Sequence, residues 1–293
     1  MKSALVLEGG AMRGLFTAGV IDVLMENGID FDGAIGVSAG ACFGCNIKSK
    51  QRGRVLRYSL RFCKDEKYCS FRSLIKTGNL YNAEYSYHTV PNELDIFDTE
   101  TFQKNPMEFY VVATDANTGQ PLYHRCVDGK ENDLGWIQAS SAIPVFAKAV
   151  LIDGYTMYDG GIADPIPYAK MRELGYKKEV LVLTQPKEYR KKPQKYMNVL
   201  KRLLYKYPAL LQRMENRYQA YNQTLDAIQK EEQAGNIFVI RPPKPLNIGS
   251  VCHDPEELKR VYYMGRFEAV KQLKALKNLC KKNCNRCVQF FFC

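Results

Sequence analysis

The chain has 293 residues, 46% hydrophobic and 25% charged, a composition that excludes disordered, collagen-like and coiled-coil chains and suits one large α/β domain with a tail or about two domains. Lys and Arg number 42 against 31 acidic residues, a formal charge of +11, which favours an anionic partner. No apolar run approaches the roughly 18 residues that span a membrane.

The opening MKSALVLEGG holds one Lys and a short apolar run that stops at Glu8. That is too short, and too soon acidic, for a signal peptide, so a cytoplasmic chain is expected, peripheral at a membrane if its charge is used there. Ala4–Leu7 reads as a buried strand that turns at Glu8-Gly9-Gly10. Helical spacing follows from Arg13 to Met25, and Gly28 supplies the stop. Phe31 to Val37 reads as a second strand. Ala39 to Ile47, dense in Ala, Gly and Cys, reads as a tightly packed helix. Strand, helix, strand, helix calls for a parallel sheet covered on both faces.

Residues 50–106 are mixed and basic, and helices and loops are expected there. Phe109–Thr114 is a strand that Asn117-Thr118-Gly119 turns into a hairpin with Leu122–His124. A helix is expected over Leu134–Ala142, then strands about the Asp153-Gly154 turn, a helix over Pro165–Leu174 and a strand over Glu179–Thr184. Basic helices fill 194–207 and 209–234, followed by a strand at Ile237–Ile240 and a helix from Pro255 to Leu279 with proline in its first turn.

The charge is unevenly placed. Residues 187–217 hold ten Lys/Arg against two Glu, and 271–286 hold six Lys/Arg and no acid. A solvated helical face and a membrane-surface role both fit this pattern. Nucleic acid is not expected, since nothing interleaves aromatics as RNA-binding sheets do or spaces Cys and His as zinc fingers do. Ten cysteines in a chain of this length, with no signal peptide read, are expected to be mostly reduced thiols. Cys280, Cys284, Cys287 and Cys293 have thiolate chemistry that suits zinc or an iron–sulfur cluster, but their spacing matches no standard site.

Gly36-Val37-Ser38-Ala39-Gly40 matches G-x-S-x-G between a strand and an apolar helix. A sharp strand-to-helix turn lifts the serine hydroxyl above the sheet edge, and only small residues fit beside it. Gly9-Gly10-Ala11-Met12-Arg13-Gly14 also joins a strand to a helix and exposes backbone N–H groups to a phosphate or to an oxyanion. The loop lacks the second glycine of a dinucleotide fingerprint and the Lys-Ser/Thr of a P-loop. A serine nucleophile needs a base. Of the three histidines, His88, His124 and His253, the last would complete the order Ser38, Asp159, His253, but it sits in a polar segment that reads as a helix start. The alternative base is Asp159, in the turn Asp159-Gly160-Gly161, provided that desolvation raises its proton affinity.

Taken together, the glycine loop, G-V-S-A-G, Ser140-Ser141-Ala142-Ile143-Pro144 and Asp159-Gly160-Gly161, in that order, resemble the patatin-like phospholipase family. Thr114-Asp115-Ala116-Asn117-Thr118-Gly119 and Asp164-Pro165-Ile166-Pro167 resemble it too, and the motifs stop beyond about residue 190. The resemblance implies a three-layer α/β/α sandwich with a mainly parallel sheet, a core over 4–185, and a basic, mainly helical C-terminal part over 186–293 packed on it. It implies a lipid or other acyl ester as substrate, an anionic membrane surface as a further partner, and no metal or cofactor. Ser38 would be the nucleophile and Asp159 its base. The backbone of Gly10, Ala11 and Met12 would hold the oxyanion, with Arg13 supporting the loop. Ala11 stands where the family often has glycine; since alanine prefers negative φ, a reshaped loop is expected. A non-catalytic membrane-binding adaptor of the same fold, and a thioesterase or peptidase on the same machinery, are the alternatives.

Overall fold

A computed structural model describes residues 1–281 of the chain; of the cysteine cluster, Cys284, Cys287 and Cys293 lie outside the described residues, as does the side chain of Cys280. The first half runs β1 (Ser3–Leu7), α1 (Gly14–Glu26), β2 (Gly33–Val37), α2 (Ala39–Lys48), α3 (Arg54–Phe62), α4 (Phe71–Thr77), a wide π-helical turn over Tyr85–Leu94, and α5 (Thr99–Lys104). The second runs β3 (Glu108–Asp115), β4 (Pro121–Cys126), α6 (Glu131–Ser140), β5 (Val150–Ile152), β6 (Tyr155–Asp159), α7 (Tyr168–Glu173), β7 (Lys178–Val182), α8 (Met197–Leu203), α9 (Pro208–Gln233), β8 (Ile237–Ile240) and α10 (Pro255–Lys281).

Eight strands form one sheet in the order β5-β6-β3-β2-β1-β7-β8, with β4 also paired to β3. The strands from β3 to β8 in that order run parallel, and the hairpins β3–β4 and β5–β6, with the β3–β6 pairing, supply the antiparallel edge. Both faces are covered: Leu5 and Leu7 of β1 pack into one apolar cluster with α1, α2 and α10, while Ala4 and Val6 pack into another with Tyr221, Leu225 and Ile228 of α9. Alternation of side chains along a strand makes this the signature of three layers.

The expected elements are found, with boundaries shifted for identifiable reasons. Pro165 and Pro167 delay the helix expected from 165, which starts at Tyr168. The expected helix over 194–207 is seven residues long, because the chain must leave helical geometry before Pro208 opens α9. The Asp133 carboxylate gathers the backbone N–H groups of Val127, Asp128 and Gly129, which lets α6 begin at Glu131.

In α1 the side chains of Leu15, Phe16, Ala18, Val20, Ile21, Val23 and Leu24 are all fully buried. A helix apolar on every side needs a second cover besides the sheet, and α10 provides it at very short range. A Cβ added at Gly265 would lie 1.9 Å from the Phe16 carbonyl oxygen, and one at Gly19 would lie 2.1 Å from that of Tyr262. The Tyr262 hydroxyl donates to Asp22, and Arg266 forms a two-pronged pair with Glu26 at 2.8 and 2.9 Å. Gly265→Ala should therefore force α1 and α10 apart and lower the unfolding free energy by about 2–3 kcal/mol, as read by urea denaturation.

Candidate active site

Parallel sheets present their ligand sites at the carboxyl ends of the strands, and four of the expected motifs meet there. Val37 ends β2, and Ser38 turns the chain into α2 with φ 54° and ψ −124°. Non-glycine residues rarely adopt such a conformation, and it is held by packing on all sides. A Cβ on Gly36 would lie 2.4 Å from the Gly40 carbonyl oxygen, and one on Gly40 would lie 2.3 Å from that of Leu7. Ala39 and Gly14 bring the starts of α2 and α1 together, since a Gly14 Cβ would sit 2.8 Å from that of Ala39.

The glycine loop lies directly against this elbow. A Cβ on Gly9 would come within 3.0 Å of the Ser38 Cβ, and one on Gly10 would meet the Thr184 hydroxyl at 2.7 Å. Ala11 takes φ 47°, so the loop keeps a glycine-like turn with alanine in it, at a cost of about 1–2 kcal/mol. The Arg13 side chain folds over Gly10, and its Nε is buried with no hydrogen-bond partner among the described residues.

Asp159 ends β6 and is buried. Its Oδ1 accepts the Gly161 N–H at 2.7 Å, its N–H donates to the Ala142 carbonyl, and its carbonyl accepts the Thr114 hydroxyl. A Cβ on Gly160 would overlap the Val112 carbonyl oxygen at 2.1 Å. Burial pushes the Asp159 carboxyl above its ordinary range, against the pull of Arg217, the Ser38 hydroxyl and the Gly161 N–H. One segment ties the two halves together: the Ser140 hydroxyl accepts the Ser38 N–H at 2.8 Å, and Ala142 holds Asp159.

A second set of supports comes from α9. Arg213, Arg217 and Tyr221, four residues apart on one face, reach three different loops. Arg213 donates to the Gly119 carbonyl at 3.0 Å, Arg217 to the Gly161 carbonyl, and Tyr221 to the Glu8 carboxylate. Glu8 also accepts the Thr184 N–H at 2.6 Å, and the Thr184 hydroxyl donates to the Gly9 carbonyl at 3.1 Å. Lys191 lies over the Tyr221 ring, and burial together with the neighbouring Arg217 and Arg13 pushes its ammonium down to about 8. The basic stretch 187–217 thus turns three of its cations, Lys191, Arg213 and Arg217, toward the loops of the site. Sequence reasoning does not single them out, because a basic residue every fourth position describes any solvated helix.

Two of the three histidines have partners of their own, and one of them, His253, lines the cavity onto which Ser38 opens. His124 pairs with Asp133 at 2.8 Å and stacks on Trp136, and His253 Nδ1 meets the Cys63 carbonyl. His124, Cys126 and Asp133 bring three potential metal-ligand atoms within 4.8 Å of one another. Asp133 also gathers the backbone N–H groups of the 127–129 turn, and burial drives the Cys126 thiol far above its ordinary range.

Ser38, Ala11 and Met12 open onto a cavity of about 530 Å³ whose walls are mainly apolar, among them Phe43, Tyr58, Val90, Leu134, Ile137 and Ile143. Its size lies within the range of small-molecule sites. The π-helical turn contributes Ser86, Tyr87, Val90 and Pro91. A hydroxyl beside a buried carboxylate, facing an apolar cavity and a strained glycine loop, is suited to attack an acyl carbon and to hold the charge that develops on its oxygen.

Residues 5–171 match the patatin-like phospholipase family, and residues 207–281 match a domain of unknown function (DUF6363). The uncharacterized protein YjjU of Escherichia coli K12 is 32% identical over 278 residues, covering 91% of this chain and 75% of that protein. The uncharacterized NTE family protein Rv1063c of Mycobacterium tuberculosis H37Rv is 29% identical over 170 residues, 57% of this chain and 45% of that one. The crystal structure of VipD from Legionella pneumophila overlays with a TM-score of 0.46 at 12% identity, over 94% of this chain and 67% of that one.

A buried carboxyl whose proton affinity is raised destabilises the folded state wherever it is ionised, since the unfolded chain ionises it without penalty. Asn keeps the acceptor for the Gly161 N–H and removes the charge. Asp159→Asn should raise the thermal unfolding midpoint at pH 8, and the gain should vanish as falling pH protonates the native carboxyl.

Proposed function

This chain belongs to the patatin-like phospholipase family, and from that we propose that it is a serine acyl hydrolase of lipid esters, of phospholipase A or lysophospholipase type, working at a membrane surface. The observation that carries the reading is the strained Ser38 elbow beside buried Asp159, with the apolar cavity in front of it.

Ser38 Oγ attacks the ester carbonyl carbon while its proton passes to Asp159. Desolvation has raised the proton affinity of that carboxylate, which makes it a stronger base than an exposed aspartate. The carbonyl oxygen becomes an oxyanion facing the backbone N–H groups of Gly10, Ala11 and Met12, with the α2 N-terminus favouring negative charge. The bond to the leaving alcohol breaks, and Asp159 returns the proton to the alcohol oxygen. Asp159 next takes a proton from water as the water oxygen attacks the acyl-Ser38 carbonyl, and gives it back to Ser38 Oγ as the fatty acid departs. Each cycle consumes one water and one ester and leaves the residues unchanged. Burial of a lipid chain along the cavity walls supplies affinity at ~0.8 kcal/mol per methylene.

The reading is tested with a fluorescent fluorophosphonate and a panel of ester substrates. Ser38→Ala should abolish both labelling and turnover. Asp159→Asn should lower kcat by at least about 10³-fold. His253→Ala should stay within a few-fold of the parent, and a folded but inactive His253 variant would replace the dyad with a triad.

Arg217 is expected to act through Asp159 rather than on substrate. Removing its positive charge takes away the largest of the pulls that lower the Asp159 carboxyl and moves its proton affinity upward. Arg217→Gln should shift the acid limb of kcat/KM to higher pH, with Arg217→Lys partly restoring it. A loss of activity at every pH with an unmoved limb would reduce Arg217 to a structural contact.

A further inference from the structure

Two segments that line the cavity touch one another, and a third packs beside them. Residues 143–148 join the α4 region through the Leu80 N–H to the Phe146 carbonyl at 2.8 Å and the Lys148 N–H to Asn79 at 3.0 Å. Leu200 and Leu204, in and just after α8, are buried in a cluster with Ala142 and Tyr158 against which Ala147 and Ala149 pack. Phe71, Ile143, Phe146 and Lys148 line the cavity itself.

Each of these segments turns large apolar side chains outward. In α4 they are Phe71 and Ile75, four residues apart and 76% and 85% exposed. In α8 they are Val199 and Leu203, also four apart, while the interleaved Leu200 is buried inward. Between them Val145 and Phe146 are about half exposed, and Val145 sits at φ 78°, a costly conformation for a β-branched residue. Single exposed apolar residues need no explanation, but paired stripes on two helices flanking a cavity mouth do. Cations predominate around them. Lys76, Lys148, Lys195, Arg202 and Lys206 have no ion pair among the described residues, while Arg72 and Lys201 pair with Glu66 and Glu215. Apolar stripes ringed by free cations are the two signals that together hold a protein on an anionic bilayer, where either alone is weak.

We propose that α4, the 143–148 loop and α8 form the docking face for an anionic phospholipid bilayer, seating the cavity mouth at the level of the lipid chains. A chain then passes from bilayer to cavity without crossing water. The use of this face rests on the hydrolase reading, but its lipid binding does not, so the two are separable. No helix among the described residues is long and apolar enough to cross a membrane, and attachment through this face requires none.

The full-length Ser38→Ala protein is sedimented with vesicles of phosphatidylcholine alone and of phosphatidylcholine and phosphatidylglycerol in equal parts. Binding is expected to the second and little to the first. Lys76→Ala, Lys148→Ala and Arg202→Ala should each weaken it roughly five-fold, the equivalent of about 1 kcal/mol per cation. Ile75→Glu and Leu203→Glu should weaken it further, whereas Phe267→Glu on α10, outside these segments, should leave it unchanged. In the Ser38 background, the Lys76, Arg202, Ile75 and Leu203 variants should hydrolyse a soluble short-chain ester like the parent. Vesicle binding that ignores these substitutions, or a parent indifferent to lipid, overturns the proposal. So does a parent dimer that Ile75→Glu or Leu203→Glu converts to monomer, since the face would then belong to a second copy of the chain. Normal vesicle binding by a protein that cleaves no ester would leave the docking face standing and remove the hydrolase.

Discussion

The site rests on backbone segments brought closer together than side chains allow. β1, β2, β3 and β6 deliver their loops to one edge of the sheet so tightly that a single methyl at Gly36, Gly40 or Gly160 would come within 2.1–2.4 Å of a neighbouring carbonyl oxygen. That crowding pins Ser38 at positive φ and holds Gly9 against it. It also packs the Asp159 turn against Val112 of β3. The geometry is thereby set by the sheet, whose register is fixed over several strands, and not by the conformational preference of any one loop.

The same dependence explains what could be read from the chain alone. Where backbones touch, only glycine fits, so Gly36, Gly40, Gly160 and Gly161 leave a local pattern, and strand–turn–helix periodicity places it. The fold class and the meeting of the Ser38 and Asp159 motifs were legible for that reason. Ser140 appeared within a motif, but its bond to the Ser38 N–H depends on contact across 102 positions. Arg213, Arg217 and Tyr221 were invisible, because an amphipathic helix with a basic residue every fourth position looks alike whether that face meets water or a catalytic loop. At Ala11 intrinsic preference and surroundings disagree: alanine favours negative φ, and the loop holds it at φ 47°.

Several features of the site run against stability. Ala11 and Ser38 occupy left-handed backbone conformations, Asp159 is ionisable and buried, and the Arg13 Nε has no acceptor among the described residues. Each is offset by neighbours that come from far along the chain, notably the Glu8–Thr184–Tyr221 network and the Arg217 contact at Gly161. Strain concentrated where chemistry is proposed, and over-determined by surrounding structure, is how a reactive geometry persists in the resting state. The segment matching a domain of unknown function takes part in this support. Its helix α9 reaches the loops that carry Gly119, Gly161 and, through Glu8, Gly9.

The glycine-to-carbonyl crossing of α1 and α10 also has a bearing on timing. α1 begins at the glycine loop near the start of the chain, and the helix that covers its second side is the last one described, ending at Lys281. During synthesis, the largely apolar α1 stays uncovered on that side until α10, with contacts 240 positions further along, has left the ribosome, and α9 becomes available only shortly before. A product that stops before α10 would therefore carry Ser38 and Asp159 on a sheet whose first helix is covered on one side only.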